Sequence, residues 1–171
     1  VRTLSLLRHA KSSWADAGLD DFDRPLNARG ENAAPRMGEF MARNGIVPEL
    51  ILCSSAARTR QTLDLVLPRL PGNPKVVLED ALYLASEGAL LARIRKVSAA
   101  VRHAMLIGHD PGMHALACAL AGSGRRRELD ALAEKFPTAA LAVIAFSARA
   151  WPQVKRGAGR LELFMTPKRL A

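Results

Sequence analysis

Short apolar runs recur along the chain at 3–8, 49–55, 75–80, 104–109, 140–146 and 160–165. Each has the length of a strand and little polar alternation, as expected of strands covered on both faces. Between them the apolar residues fall at helical spacing. One stripe is Ala33, Met37, Phe40 and Met41; a second is Leu63, Val66, Leu67 and Leu70. Leu90, Leu91, Ile94 and Val97 make a third, and Met113, Leu116, Ala117 and Leu120 a fourth. Strands that alternate with amphipathic helices must cross over the sheet, which leaves neighbouring strands parallel and both faces covered. The alternation therefore predicts an α/β fold with a mostly parallel central sheet. The last two strands, joined by the polar, Gly-containing segment 147–159, read instead as a hairpin or an antiparallel edge. Asn27 is placed to cap the first helix, and Pro35 to start or kink it.

No linker, internal repeat or low-complexity tract divides the 171 residues, so one domain over 1–171 is expected. A compact chain of this length hides roughly 70% of the surface it exposes unfolded, enough for a core without covalent staples. Cys53 and Cys118 lie in apolar runs and read as small buried hydrophobes, not as a disulfide framework or a zinc site. A reducing cytoplasm is the compartment that such usage fits. No run approaches the roughly 18 consecutive apolar residues of a membrane span. The N-terminal stretch lacks the charged-then-apolar layout of a signal peptide. No membrane partner is expected. The net charge of +9 favours anionic partners in general. It is spread along the chain, apart from Arg125-Arg126-Arg127, so nucleic acid is not the expected partner.

In open α/β sheets ligands bind beyond the carboxyl ends of the strands. The first run there delivers Arg8-His9; the second delivers "SSAARTRQT", with Ser54, Ser55 and Arg58 before a helix. The fourth delivers "GHDPG", with His109. Two guanidiniums and two imidazoles at one sheet edge, near helix N-termini, describe an anion site, and phosphate is the natural guest. Rival chemistries fail on spacing. A cysteine phosphatase needs C-x5-R, whereas "CSSAAR" gives Cys53-x4-Arg58 with Cys53 inside a strand pattern. His109 and His114 are five apart, not the i, i+4 of helical metal ligands, and "HExxH" is absent. His114 reads as an ordinary helical residue and His103 as an exposed one. Neither a G-x-x-x-x-G-K-[ST] loop nor G-x-G-x-x-G occurs, so neither cofactor nor metal is expected.

The ordered set "LLRHAKSSW", "DFDRPLNARG", "SSAARTRQT", "EDALYLAS", "LIGHDPG", "FPTAALAVIAF" and "LELFMTPKRL" resembles the histidine phosphatase superfamily, and within it the small SixA-type branch of phosphohistidine phosphatases. The resemblance implies a three-layer α/β/α sandwich. It implies His9 as a transiently phosphorylated nucleophile, Arg8 and Arg58 as clamps on the phosphoryl oxygens, and His109 completing the pocket. Asp23-Arg24-Pro25-Leu26 matches a family segment near the mouth. Larger relatives protonate an alcohol leaving group with a carboxylate, and Glu79, Asp80 and Glu87 fall in the corresponding region. Glu79 and Asp80 are the candidate general acids. The chain has no room for the cap insertions that shape a small-metabolite pocket in larger relatives. A protein carrying phosphohistidine is therefore the expected partner, ahead of a small phosphorylated substrate. Two alternatives stay open. One is a general phosphomonoesterase acting on small phosphate esters with Glu79 or Asp80 as acid. The other is a non-catalytic module for phosphate or nucleic acid, for which "GRRRE" speaks, although an exposed helix start explains those residues equally.

Overall fold

The computed structural model describes residues 1–170 and places β1 (Arg2–Arg8) inside a sheet with strands on both sides. The other strands among the described residues are β2 (Leu50–Ser54), β3 (Lys75–Glu79), β4 (His103–Gly108), β5 (Ala121–Gly124), β6 (Leu141–Phe146) and β7 (Gly159–Met165). Their order across the sheet is β3-β2-β4-β1-β6-β7-β5. β3, β2, β4 and β1 run parallel; β6 is antiparallel to both β1 and β7; β5 pairs parallel with β7. The expected hairpin thus joins β6 and β7, but the edge beside it belongs to β5. No apolar run marks that strand, because its sequence is AGSG. Glycine is required there for packing: a Cβ at Gly122 would strike the backbone carbonyl of Gly157.

The helices divide between the two faces. α1 (Ala28–Arg43), α2 (Ala57–Val66) and the short α6 (Pro167–Leu170) cover one; α3 (Glu87–Ile94), α4 (Gly112–Leu120) and α5 (Arg126–Glu134) cover the other. Alternate residues along each strand supply the two cores. Leu4, Leu6, Leu52, Leu106 and Ile144 pack toward α3 and α4, while Leu7, Ile51, Met105, Ile107 and Leu141 pack toward α1 and α2. The chain is an α/β/α sandwich with a mixed sheet. Each such side chain contributes roughly 1.5–3 kcal/mol by burial.

Local details bear on the earlier expectations. Asn27 caps α1, its side chain accepting from Gly30 N–H at 3.0 Å, and Pro35 lies inside that helix. Leu67 falls in a 3-10 turn that follows α2, and Val97 lies beyond the end of α3. Cys53 is buried in β2, but Cys118 sits on the solvent face of α4 and is exposed, against expectation. Its helix carries apolar residues almost all round, so periodicity alone does not identify the outer face. His103 is not exposed either: its ring is half-buried and Nε2 lies 2.7 Å from Ser5 Oγ on the neighbouring strand. Arg125 to Arg127 form the exposed start of α5. No helix among the described residues is long and apolar enough to cross a membrane.

The loop after β1 is pressed against the first turn of α1, where Asn27 N–H donates to the Lys11 carbonyl at 3.0 Å. A Cβ at Gly30 would collide with that same carbonyl oxygen. Alanine in a helix ordinarily stabilises by about 1 kcal/mol over glycine. Gly30→Ala should do the reverse, lowering stability by about 1–3 kcal/mol because backbone must shift to admit the methyl group. Urea unfolding with an unchanged slope and a lower midpoint is the expected result. A higher midpoint would refute the contact.

Candidate active site

The first strand ends by delivering Arg8 and then His9 to the carboxyl edge of the sheet. Three elements hold the backbone there. His9 N–H donates to the Gly108 carbonyl at the end of β4 (3.1 Å), and Ala139 N–H, just before β6, donates to the His9 carbonyl (3.0 Å). Ala10 N–H donates to Thr62 Oγ1 (3.0 Å), and that hydroxyl donates to the Arg58 carbonyl in α2 (2.7 Å). The strand end carrying His9 is therefore tied directly to the helix carrying Arg58.

The four side chains that the strand ends were expected to bring together do converge. The His9 and His109 rings have centroids 5.4 Å apart, and both residues are buried. Arg58 is 3% exposed, and Arg8 sends one guanidinium nitrogen to the Phe136 carbonyl at 3.0 Å, with Asp110 3.6 Å away. Ser54, also buried, lies 2.8 Å from His109 Nε2. Arg8 Nε, Arg58 Nε and His109 Nδ1 are buried and find no partner within the protein.

Burial and mutual charge set the ionisation. His9 Nδ1 is 2.7 Å from the Ala10 carbonyl, which can only accept, so Nδ1 carries the hydrogen and Nε2 the lone pair. Desolvation, reinforced by the charges on His109, Arg58 and Arg8, lowers the His9 pKa to about 3 against the opposing effect of the Ala10 bond. His109 is lowered to about 4, by burial first and then by Arg58. Burial, with Arg58 nearby, also lowers Arg8 from its ordinary value, partly offset by Asp110. At neutral pH both imidazoles are neutral and both guanidiniums are charged.

One carboxylate at the site went unrecognised in the sequence. Asp21, in a 3-10 turn (Asp21–Asp23), takes Arg58 through both its main-chain oxygen (2.7 Å) and Oδ2 (3.0 Å). Its Oδ1 takes Arg24 at 2.8–3.1 Å, and Tyr83 O–H donates to Oδ2. The Tyr83 bond first, helped by Arg58 and Arg24, holds Asp21 at a pKa of about 2 against the opposing effect of burial. It is an ionised brace. Tyr83 also stands edge-on to His109, with centroids 5.3 Å apart. Arg24, from the segment expected near the mouth, is buried beneath the exposed Trp14, its guanidinium carbon 3.3 Å from the ring centre. Within the "DDFD" run nothing distinguishes Asp21 from Asp20 or Asp23 by pattern; only its spacing of three from Arg24 offered a signal. Tyr83 is the chain's single tyrosine, and that was its only mark.

The remaining candidates are held by other partners. Glu79 forms a two-pronged pair with Arg93 Nε at 2.8 and 2.9 Å, and Asp80 accepts from Ser55 Oγ. Glu87 pairs with Arg156 at 2.7 Å. None of the three hydrogen-bonds or ion-pairs with Arg8, His9, Arg58 or His109. Burial raises the Cys53 thiol to about 12, far from a nucleophile's range. Among the described residues no cluster of three or more His, Cys, Asp or Glu has a metal-holding arrangement.

Comparison with known proteins agrees with this fold. The model of the histidine phosphatase superfamily (branch 1) matches residues 4–83. An uncharacterised protein of Mycobacterium tuberculosis is 35% identical over 164 residues, covering 95% of this chain and all of that protein. A crystal structure assigned as the phosphohistidine phosphatase SixA of Agrobacterium tumefaciens superposes with a TM-score of 0.82 at 35% identity, over 97% of this chain and 98% of its own. A second SixA assignment, from Nakamurella multipartita, gives 0.81 at 30% identity over 97% and 96%. With the strand-end arginines and histidines placed as above, the chain belongs to the histidine phosphatase superfamily, as a SixA-type phosphatase.

Proposed function

We propose that this phosphatase hydrolyses phosphohistidine in a protein through a covalent intermediate on His9, without a metal ion. The state of the His9 ring carries the proposal: Nδ1–H is fixed on the Ala10 carbonyl, which leaves Nε2 as an unprotonated nucleophile at neutral pH. Nε2 attacks phosphorus, and the bond from phosphorus to the substrate's ring nitrogen breaks with its electron pair staying on that nitrogen, which takes a proton from solvent. Water then attacks phospho-His9, releasing inorganic phosphate and restoring the neutral ring. Arg8 and Arg58 meet the phosphoryl oxygens throughout, supplying the positive charge that phosphoryl transfer demands. Ser54 Oγ accepts from Ala56 N–H and lies 2.8 Å from His109 Nε2; with the hydroxyl hydrogen directed to Nε2, the neutral ring carries its own hydrogen on Nδ1. His109 Nδ1–H, unpartnered in the protein, is then a further donor to the phosphoryl group.

The carboxylates favour this substrate over an alkyl phosphate. A departing alkoxide needs an acid beside it, whereas a ring nitrogen leaves more readily. Asp21 is held ionised, and Glu79 and Asp80 are engaged with Arg93 and Ser55. An expected ranking follows: phosphohistidine ahead of alkyl phosphates, with turnover unchanged by a chelator. The reverse ranking would support a general phosphomonoesterase.

Labelled substrate followed by an alkaline denaturing quench should leave label on His9. His9→Ala should abolish both label and turnover. Arg58→Ala should lower kcat by about 10²-fold or more, as expected for a group that stabilises transition-state charge. Label on another residue, or hydrolysis surviving in His9→Ala, would overturn the assignment; an effect of Arg58→Ala confined to KM would mean substrate holding alone.

The histidines also set a pH dependence of stability. Both lie near 6.5 in the unfolded chain and at about 3 and 4 when folded. Between those values the unfolded chain binds more protons, so stability rises with pH. The contribution is complete above pH 6.5 and falls away as pH drops, by at most about 1.4 kcal/mol per pH unit for each ring. Denaturation measured from pH 6.5 down to pH 4 should show a smaller loss in His9→Gln than in the unmodified protein; equal losses would contradict the buried neutral ring.

A further inference from the structure

A cleft of about 270 Å³ lies between the loop after His9, the start of α1, the segment before β6 and the end of the chain. None of Arg8, His9, Arg58 and His109 lines it. Its rim carries Lys11, Arg29, Lys135 and Lys168, all exposed, and its floor is apolar, with Ala33 and the buried Phe164. Among the described residues no carboxylate stands within ion-pairing distance of those four cations. Arg169, the fifth cation at the cleft, is already paired with Glu128 at 2.9 Å. Glu134 is the single acid on the rim. Four unpaired cations around one opening give it a positive potential that favours an anionic guest.

The cleft is coupled to the reacting groups by the chain itself. Lys11 is two residues beyond His9, so their Cα atoms are at most about 7 Å apart. Pro137 and Thr138, which also line it, lead directly into Ala139, whose N–H holds the His9 carbonyl. An extended peptide advances about 3.3 Å per residue. A polypeptide with its phosphohistidine at His9 and its chain running past Lys11 reaches this cleft with residues two to four positions away. Cations alone would suit any polyanion. The apolar floor between them selects a peptide that alternates acidic and apolar side chains over a nucleic-acid backbone.

We propose that the cleft docks the segment of the substrate protein next to its phosphohistidine, and that this segment is acidic with one apolar side chain seated against Ala33 and Phe164. This rests on the assignment of the protein as a phosphohistidine phosphatase. It accounts for how an open site distinguishes one phosphoprotein from another: the arginines read the phosphoryl group, and the cleft reads its neighbourhood.

Three substrates test it: free phosphohistidine, a phosphohistidine peptide flanked by Glu-Leu-Glu, and the same peptide flanked by serines. The acidic peptide should have a KM about tenfold or more below the serine peptide, rising with salt. The double variant Lys135→Glu/Lys168→Glu should erase that difference, with kcat and free phosphohistidine turnover kept within about twofold. Equal KM values for the two peptides, or a variant that slows all three substrates alike, would overturn the docking site. Absence of turnover of every substrate by the unmodified protein would instead overturn the proposed reaction. Direct titration of the unphosphorylated acidic peptide, labelled for anisotropy, then decides the cleft alone: binding lost in the double variant upholds it, and no binding refutes it.

Discussion

Everything at this site depends on holding two guanidiniums and two imidazoles together out of water. Arg58 is almost wholly buried and lies close enough to Arg8 for its charge to lower the Arg8 pKa. Removing a guanidinium from water costs several kcal/mol unless a partner compensates. Asp21 is that partner, and one residue serves Arg58 twice, through its carboxylate and its main-chain oxygen. The carboxylate is then shared with Arg24 and Tyr83, so the 3-10 turn at Asp21–Asp23 is anchored from three sides. The long segment between β1 and α1 makes sense on these terms: it brings an acid back across the sheet edge to Arg58.

The histidines solve the same problem differently. Burial beside two arginines outweighs the pull of Asp21 on His109, so both rings give up their protons and the neutral state is strongly preferred. For a nucleophile that outcome is useful, because the lone pair on Nε2 is present at any ordinary pH. The same arginines that favour a bound anion therefore also help to keep both imidazoles neutral. The tie from Ala10 through Thr62 to the Arg58 backbone joins the strand end carrying His9 to the helix carrying Arg58.

Much of this was legible in the amino-acid order. Continuous apolar runs such as TLSLLR and AMLIGH identified strands covered on both faces, and the residues that follow them identified the chemical edge. What stayed hidden has physical reasons. β5 pairs through backbone alone, and AGSG carries no side-chain signal for it. Asp21 acts through a contact across 37 residues that no periodicity records. Cys118 and His103 were misplaced because burial within an all-apolar helix or at a strand's first residue depends on what packs against it. Glu79 and Asp80 lie in the right neighbourhood along the chain, but Arg93 and Ser55 hold them, and no pattern announces those partners.

The unpartnered donors connect stability to chemistry. Arg8 Nε, Arg58 Nε and His109 Nδ1 are buried with no acceptor in the protein, and each such group typically costs about 1–3 kcal/mol. A fold selected for stability alone would replace them with apolar side chains, which often stabilise. Arg2 Nε and Arg24 Nη1 are buried and unpartnered as well, but Arg8, Arg58 and His109 are gathered at the carboxyl edge of the sheet, where a tetrahedral anion would supply acceptors. The strain is then largest in the free protein, relieved on binding, and relieved further as charge develops on the phosphoryl oxygens. Rigid donors need no reorganisation at that moment, which is where electrostatic catalysis gains over water. Asp21 holds the Arg58 side chain in place, and the Phe136 carbonyl with Asp110 does the same for Arg8, against swinging outward into solvent.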